Sequence, residues 1–304
     1  MTAGHTLLLG IDYGGTHSKL LLARDGTAVR QAQLPTHRGP GALRRLAEQV
    51  DGFLDGERPG ALGVTIAGIL DEATGQVVTS VNLPWLDGTD PVGDLTGLLG
   101  VAGVAVQDGH AAATAEVTLG AARAHRDIDD IFVLTLGTGI AGAHIVDGVL
   151  RRGAHNAAGE IGHMGTGEGR MCGCGQRGCL ESEIGGDQLV ARWQEAGGGV
   201  PAGGTTRDLV AAAAAGDERA VRLLDRATTA LGRSLLGVIA LLDPGLIIVG
   251  GGLAQAHEWI FEPAVRKTVD GATFHRLPPI VPAALGVWAG AWGAVIAAGS
   301  VPSG

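Results

Sequence analysis

The stretch LLLGIDYGGTHSKLLLARDG, residues 7–26, sets two apolar runs on either side of a glycine turn and closes on a second turn at Asp25–Gly26. Apolar runs of strand length bounded by such turn signals predict a β-hairpin. The device returns in IFVLTLGTGIAGAHIVDG, residues 131–148, which again reads strand, glycine turn, strand and ends on Asp147–Gly148. Two widely separated copies predict two related lobes and not a solenoid, whose period would be shorter and repeated more often.

Outward from the hairpins the chain alternates short strands with helices, the mark of an α/β fold. A helix signal covers 40–54, a strand Leu62–Ile66, a turn Ala73–Gly75, and VVTSVNLPW follows. The strand GVAVQD delivers Asp108 at its C-terminal end, and HAAATAEVTLGAARA opens a helix directly after it. A carboxylate at a strand end facing a helix start is a usual place for a catalytic group in open α/β sheets. Residues 206–242 carry apolar residues at helical spacing and stop at Asp243–Pro244; LIIVGGG then reads as a buried strand running into three glycines.

Length permits one large domain or two ordinary ones, and the alternation favours two. The balance of 45% hydrophobic and 17% charged residues is globular, while 53 glycines imply many tight turns. A formal charge of -9 opposes nucleic-acid binding. The N-terminus lacks a basic n-region and reads as a strand, not a signal peptide. The uncharged stretch 281–304 reads as a buried helix and not a membrane span.

All three cysteines, Cys172, Cys174 and Cys179, fall in MCGCGQRGC (171–179). That spacing is poor for disulfides, leaving a metal or reactive thiols. Three soft ligands call for a fourth donor in a tetrahedral zinc site, and His163 is the nearest candidate. AAGEIGHM (157–164) puts Glu160 three residues before His163, and Glu181 follows Cys179 by two. A closed metal loop would therefore fix Glu160, His163 and Glu181 toward a common pocket.

GTGIAG (137–142) fits the dinucleotide fingerprint, but AHIVDG continues it as a strand where the fingerprint demands a helix. IDYGGT and TLGTGIAG read instead as paired phosphate clamps, whose bare backbone N–H groups can approach nucleotide oxygens. Asp12, beside the first clamp, is placed to hold Mg²⁺ through water. No G-x-x-x-x-G-K-[ST] loop occurs.

Taken in order, DYGGT, NLPW, Asp108, LTLGTGI, AGEIGHM, CGCGQRGCLE and VGGG resemble the sugar kinases of the ROK family over nearly the whole chain. The resemblance implies a two-lobed actin-like ATPase fold, ribonuclease H-like, with a structural zinc loop at 163–181. It implies a smaller lobe, 1–109 joined by a C-terminal helix at 284–304, and a larger lobe, 110–283. The implied activity is ATP-dependent phosphorylation of the 6-hydroxyl of glucose or a close analogue. Asp108 would be the general base, and Asn82, Gln107, Asp108, Glu160, His163 and Glu181 would hold the sugar. Zinc would sit on His163, Cys172, Cys174 and Cys179. Asp12, Gly14, Gly15, Thr16, Gly137, Thr138 and Gly139 would serve Mg²⁺ and the ATP phosphates, with Gly250, Gly251 and Gly252 near the adenosine. A cytoplasmic homo-oligomer, a dimer first, is expected, with closure of the lobes on sugar.

Departures qualify the substrate. The family's Asn-Asp-Ala-Asn stretch is here Gln107-Asp108-Gly109-His110, His17 stands where lysine is common, and Ala141 and Ala143 replace glycines. An amino sugar (3-amino-3-deoxyglucose, an N-acetylhexosamine) or a cyclitol would suit the altered corner. A sugar-responsive repressor would need a DNA-binding segment ahead of the phosphate turn, for which Asp12 comes too early. A non-catalytic sugar sensor conflicts with the retained Asp12 and Asp108, and the acidic charge opposes polyphosphate as donor.

Overall fold

The structure, a computed structural model, describes residues 6–71, 74–167 and 169–302, so Ala73 of the expected turn lies outside the described residues. They fall into two compact units. The first is drawn from the segment ending at Thr118, from Arg152–Ala157 and from the segment beginning at Trp288; the second holds Leu119–Arg151 and Ala158–Val287.

The first unit is built on β1 (Leu7–Tyr13), β2 (His17–Arg24), β3 (Thr27–Pro35), α1 (Ala42–Leu54) and β4 (Ala61–Ile66). The short strands β5 (Ile69–Leu70) and β6 (Val77–Thr79), α2 (Pro91–Leu99), β7 (Gly103–Gln107) and α3 (Asp108–Thr118) follow. The sheet runs β3-β2-β1-β4-β7, with the hairpin antiparallel and β1, β4 and β7 parallel. Leu20, Leu21 and Leu22 are all fully buried, as happens only in a strand covered on both faces. Leu20 and Leu22 join one core with Leu46 and Val50 of α1, while Leu21 and Ala23 join another on the opposite face.

The second unit repeats the plan with β8 (Asp130–Leu136), β9 (Ile140–Val146), β10 (Val149–Leu150), β11 (Leu246–Gly250) and β12 (Ile280–Pro282). Its order, β10-β9-β8-β11-β12, and its strand directions match the first sheet term for term. Its helices are α4 (Leu180–Ile184), α5 (Gly186–Glu195), α6 (Thr206–Ala214), α7 (Glu218–Leu242) and α8 (Glu262–Gly271). The single helical pattern read over 206–242 is two helices, because Asp217 starts a fresh one by accepting from the backbone N–H groups of Arg219 and Ala220. The helix expected directly after Asp108 begins at Asp108 itself and ends at Thr118, a 3₁₀ turn covering Ala121–Ala124.

The chain returns to the first unit as α9 (Ala289–Ala298), shorter than the helix expected from Ala284, because Gly286–Trp288 forms a 3₁₀ turn. Its residues are apolar all round, the composition of a helix buried on every side. A β-carbon at Gly63 would overlap the Ala294 carbonyl, and one at Gly293 the Ala111 carbonyl, so bare backbone lets α9 sit directly on β4 and α3. No described helix is long and apolar enough to cross a membrane.

Candidate active site

In the first unit Asp12, near the end of β1, is held from two sides. Its Oδ1 accepts from the Thr65 hydroxyl at 2.8 Å and its Oδ2 from Lys19 Nζ at 2.7 Å. Lys19 lies directly across the hairpin from Asp12, and Thr65 is its partner in register on β4. Sequence reading missed both, although a lone lysine within the buried run of β2 was the available signal.

The Gly14–Gly15 turn is anchored by its carbonyls. Thr36 Oγ1 donates to Gly14 O at 2.7 Å, and the Arg38 guanidinium donates to Gly15 O at 2.8 and 3.1 Å. In a trans peptide the N–H points opposite to the C=O, so the amides of Gly15 and Thr16 are turned away from these anchors. Asn82 lies beside Gly15 on a loop pinned by Ser80, which accepts from the Leu83 amide and donates to Ala67 O. Tyr13 ties in the same loops: its hydroxyl donates to His37 O and accepts from Trp85 Nε1.

Asp108 opens α3 at the C-terminal end of β7, the third parallel strand, and its Oδ1 accepts from the Gly109 amide at 2.8 Å. Asp12, Thr65 and Val106 share one row of the register, so Asp108 stands two residues past that row on the same sheet edge. Gln107, just before it, and His110, two residues after it, are buried.

In the second unit the 137–139 turn joins β8 to β9, and no helix opens there, as the rejection of a dinucleotide fingerprint required. Gly137 O accepts from the Gly186 amide, and Glu181 Oε2 accepts from the Ile140 amide at 2.9 Å. The glycine turn after β11 packs against the same place: Gly251 lies on the Leu136 backbone at a φ of 88°, which favours glycine. The unit thus brings together Gly137, Thr138, Gly139, Gly250, Gly251, Gly252 and Glu181.

His163 closes a one-turn 3₁₀ segment and faces two ways. Its Nδ1 is 3.7 Å from Cys172 Sγ, and its Nε2 is 4.0 Å from Glu160 Oε2. Cys174 and Cys179 sulfurs are 3.6 Å apart, and all four ligand atoms of His163, Cys172, Cys174 and Cys179 lie within 4.8 Å of one another. A tetrahedron with Zn–S bonds of about 2.3 Å has edges of about 3.8 Å, so the set fits zinc. Burial, aided by the neighbouring thiols, pushes Cys179 up to about 12, and burial raises Cys172 as well. A bound metal would draw the protons from both thiols.

The two carboxylates of α4 part company. Glu181 reaches the glycine turn, whereas Glu183, also buried, is held by Arg192 at 2.7 Å and by Arg226 at 2.9 and 3.1 Å. Burial pushes the Glu183 carboxyl up, but the two guanidinium groups outweigh it and hold it below the usual carboxylate range. Neither arginine was flagged by the sequence, since each lies on a different helix, Arg192 nine and Arg226 forty-three residues on.

A model of the ROK family matches residues 8–300. Glucokinase of Thermotoga maritima is 32% identical over 280 residues, 86% of this chain and 87% of that one. N-acetylmannosamine kinase of Citrobacter koseri is 35% identical over 284 residues, 88% of this chain and 93% of that one. A crystal structure of a ROK family glucokinase from Streptomyces griseus, in complex with glucose and AMPPNP, superposes with a TM-score of 0.87 at 27% identity, covering 97% of this chain and all of that one.

Proposed function

The chain belongs to the ROK family, and from that premise we propose that it moves the γ-phosphoryl group of ATP to the 6-hydroxyl of glucose or a close analogue. The observation that carries the reading is Asp108, set at the end of a parallel strand on the sheet edge that also carries Asp12 and the Gly14–Gly15 turn. Phosphoryl transfer asks the protein mainly for positioning and charge stabilisation, and one carboxylate within reach of the attacking hydroxyl. Asp108 takes the hydroxyl proton as the bond to phosphorus forms. The Gly15 and Thr16 amides and the 137–139 turn face phosphate oxygens, with Gly250, Gly251 and Gly252 toward the adenosine. Bound at Asp12, Mg²⁺ would neutralise charge on the phosphates.

Glu160, His163 and Glu181 accept and donate hydrogen bonds to the sugar, with Asn82 and Gln107 completing the set. His163, Cys172, Cys174 and Cys179 would hold zinc, which braces the loop carrying those groups. His163 would then hold the metal through Nδ1, the nitrogen beside Cys172, leaving Nε2, on the Glu160 side, for the sugar.

A second reading, an amino sugar or cyclitol as acceptor, is favoured by one observation: Gln107 and His110 are both buried beside Asp108. The buried His110 ring keeps one nitrogen, Nε2, without a hydrogen-bond partner among the described residues, and a polar group on the acceptor could supply it. The test is ATP-dependent ADP release with glucose, mannose, N-acetylglucosamine, N-acetylmannosamine, 3-amino-3-deoxyglucose and a cyclitol. Turnover with glucose that Asp108→Asn abolishes is expected. Turnover unchanged in Asp108→Asn removes the assigned base, and binding of sugar with no turnover leaves a sensor. We also expect a cytoplasmic homodimer, which light scattering reports as twice the chain mass.

A further inference from the structure

A cavity of about 300 Å³ lies behind the metal loop, lined by Thr166 and Gly167 of that loop, by Glu183, and by Arg226, Thr229 and Arg233 of α7. It shares no residue with the candidate active site. The three α7 residues recur at three and four spacing, so they stand on one helix face with Ala230 between them.

The donors and acceptors in it are unevenly spent. Arg226 uses Nε and one Nη on Glu183, and its other Nη makes no hydrogen bond among the described residues. Arg233 makes no ion pair there at all, so a guanidinium and a half face the cavity unused. The hydroxyl hydrogens are already committed: Thr229 donates to Asp225 O and Thr166 to Gly178 O. Both oxygens can still accept. Glu183, taken by Arg192 and Arg226, has its charge compensated.

We propose that this cavity binds a phosphorylated polyol of the sugar-phosphate class, its phosphate on Arg226 and Arg233 and its hydroxyls donating to Thr166 and Thr229. Guanidinium forks match phosphate oxygens in pairs, and hydroxyl oxygens with committed hydrogens call for a ligand that brings its own. Ligand sites run from about 300 to 1,000 Å³, so this cavity holds a small molecule and not a dinucleotide. Its walls couple it to the metal loop: Thr166 follows His163 by three residues, and Glu183 shares α4 with Glu181.

The proposal does not depend on kinase activity and is tested without ATP. Glucose 6-phosphate and inorganic phosphate are titrated calorimetrically into the full chain, its Arg233→Gln variant and its Thr229→Val variant, each first checked by circular dichroism. Saturable binding of glucose 6-phosphate, weakened about tenfold or more by Arg233→Gln, is expected, that being the scale of a lost charge-assisted hydrogen bond. Thr229→Val should weaken glucose 6-phosphate and leave inorganic phosphate unchanged. Glucose 6-phosphate binding that Arg233→Gln leaves intact lies elsewhere and overturns the site. Equal affinity for both ligands, indifferent to Thr229→Val, overturns the polyol half.

Discussion

Asp12 is a carboxylate with its two oxygens assigned to different strands, Thr65 taking one and Lys19 the other. Lys19 is therefore the cation that the strand register sets on Asp12, standing two residues beyond the position where the ROK pattern usually has its lysine. Removing the charge in Lys19→Met should lower kcat/KM for ATP by about 10- to 100-fold, the loss of one hydrogen bond between charged groups, with glucose affinity little changed. Steady-state kinetics varying each substrate in turn separates the two. Glu183 supports a second expectation. Its carboxyl is held below the ordinary value of 4.5, so the folded state binds its proton less readily than the unfolded chain does. The stability it contributes is complete above that ordinary value and drains away as the pH falls through the lower folded-state value. Glu183→Gln should lose about 3 kcal/mol at neutral pH, near the lower end for a broken buried pair, since Arg226 stays solvated. In urea melts the difference between the two proteins should begin to shrink as the pH falls below 4.5 and close further toward the lower folded-state value. Candidates of this kind were partly legible in the sequence: Asp12, Asp108, His163 and the three cysteines stand in short local motifs. Lys19, Arg192 and Arg226 act across strands and helices, and no local motif marks them.

The loop that carries the four candidate metal ligands has almost no regular structure and is held by two isolated bridges, Gly165 with Cys179 and Met171 with Arg177. Such a segment has little apolar burial to fix it, so an ion bound at His163, Cys172, Cys174 and Cys179 would supply most of its order. Stripping zinc with a strong chelator, or Cys179→Ser, should lower the unfolding midpoint by about 5–10 °C, from a linkage of about 2.7 kcal/mol at a hundredfold excess over Kd. Glucose KM should rise with it, because His163 and Glu181 lose their support; calorimetry and kinetics on the same samples check both. Helices and strands with strong periodicity could be read directly, as α1, β4 and β11 were. The break between α6 and α7 was obscured because apolar spacing persists through Gly216–Asp217, and only the cap made by Asp217 reveals it. Likewise α9 reads as longer than it is, since the residues ahead of it are as apolar as the helix itself.

At the scale of the whole molecule, two sheets of the same order and direction carry glycine turns at corresponding hairpins, after β1 and after β8. The duplication could be read from the paired stretches at 7–26 and 131–148, because a hairpin is a local object. The make-up of the first unit could not be read from any one stretch, because it depends on packing between distant segments. Arg152–Ala157 joins it, Asn156 donating to Leu70 O, and α9 covers β1, β4 and α3. A chain stopped before Trp288 should therefore leave the seam at Gly63 and Gly293 open and the first unit unfolded. The measurement is the soluble fraction on expression, with the intact chain as reference. Recovery of a truncated protein that still melts cooperatively would mean the seam is dispensable.

That seam also sets a timetable for biosynthesis. On the ribosome β1 and β4 emerge early, yet the helix that roofs them is translated only after the second unit. At about 5–20 residues per second the roughly 170 residues from Leu119 to Val287 take on the order of 10–30 s. Throughout that interval the nascent sheet presents bare glycine backbone and the flanks of Leu21 and Ala23 to the cell, a surface for chaperones to shield until the last helix arrives.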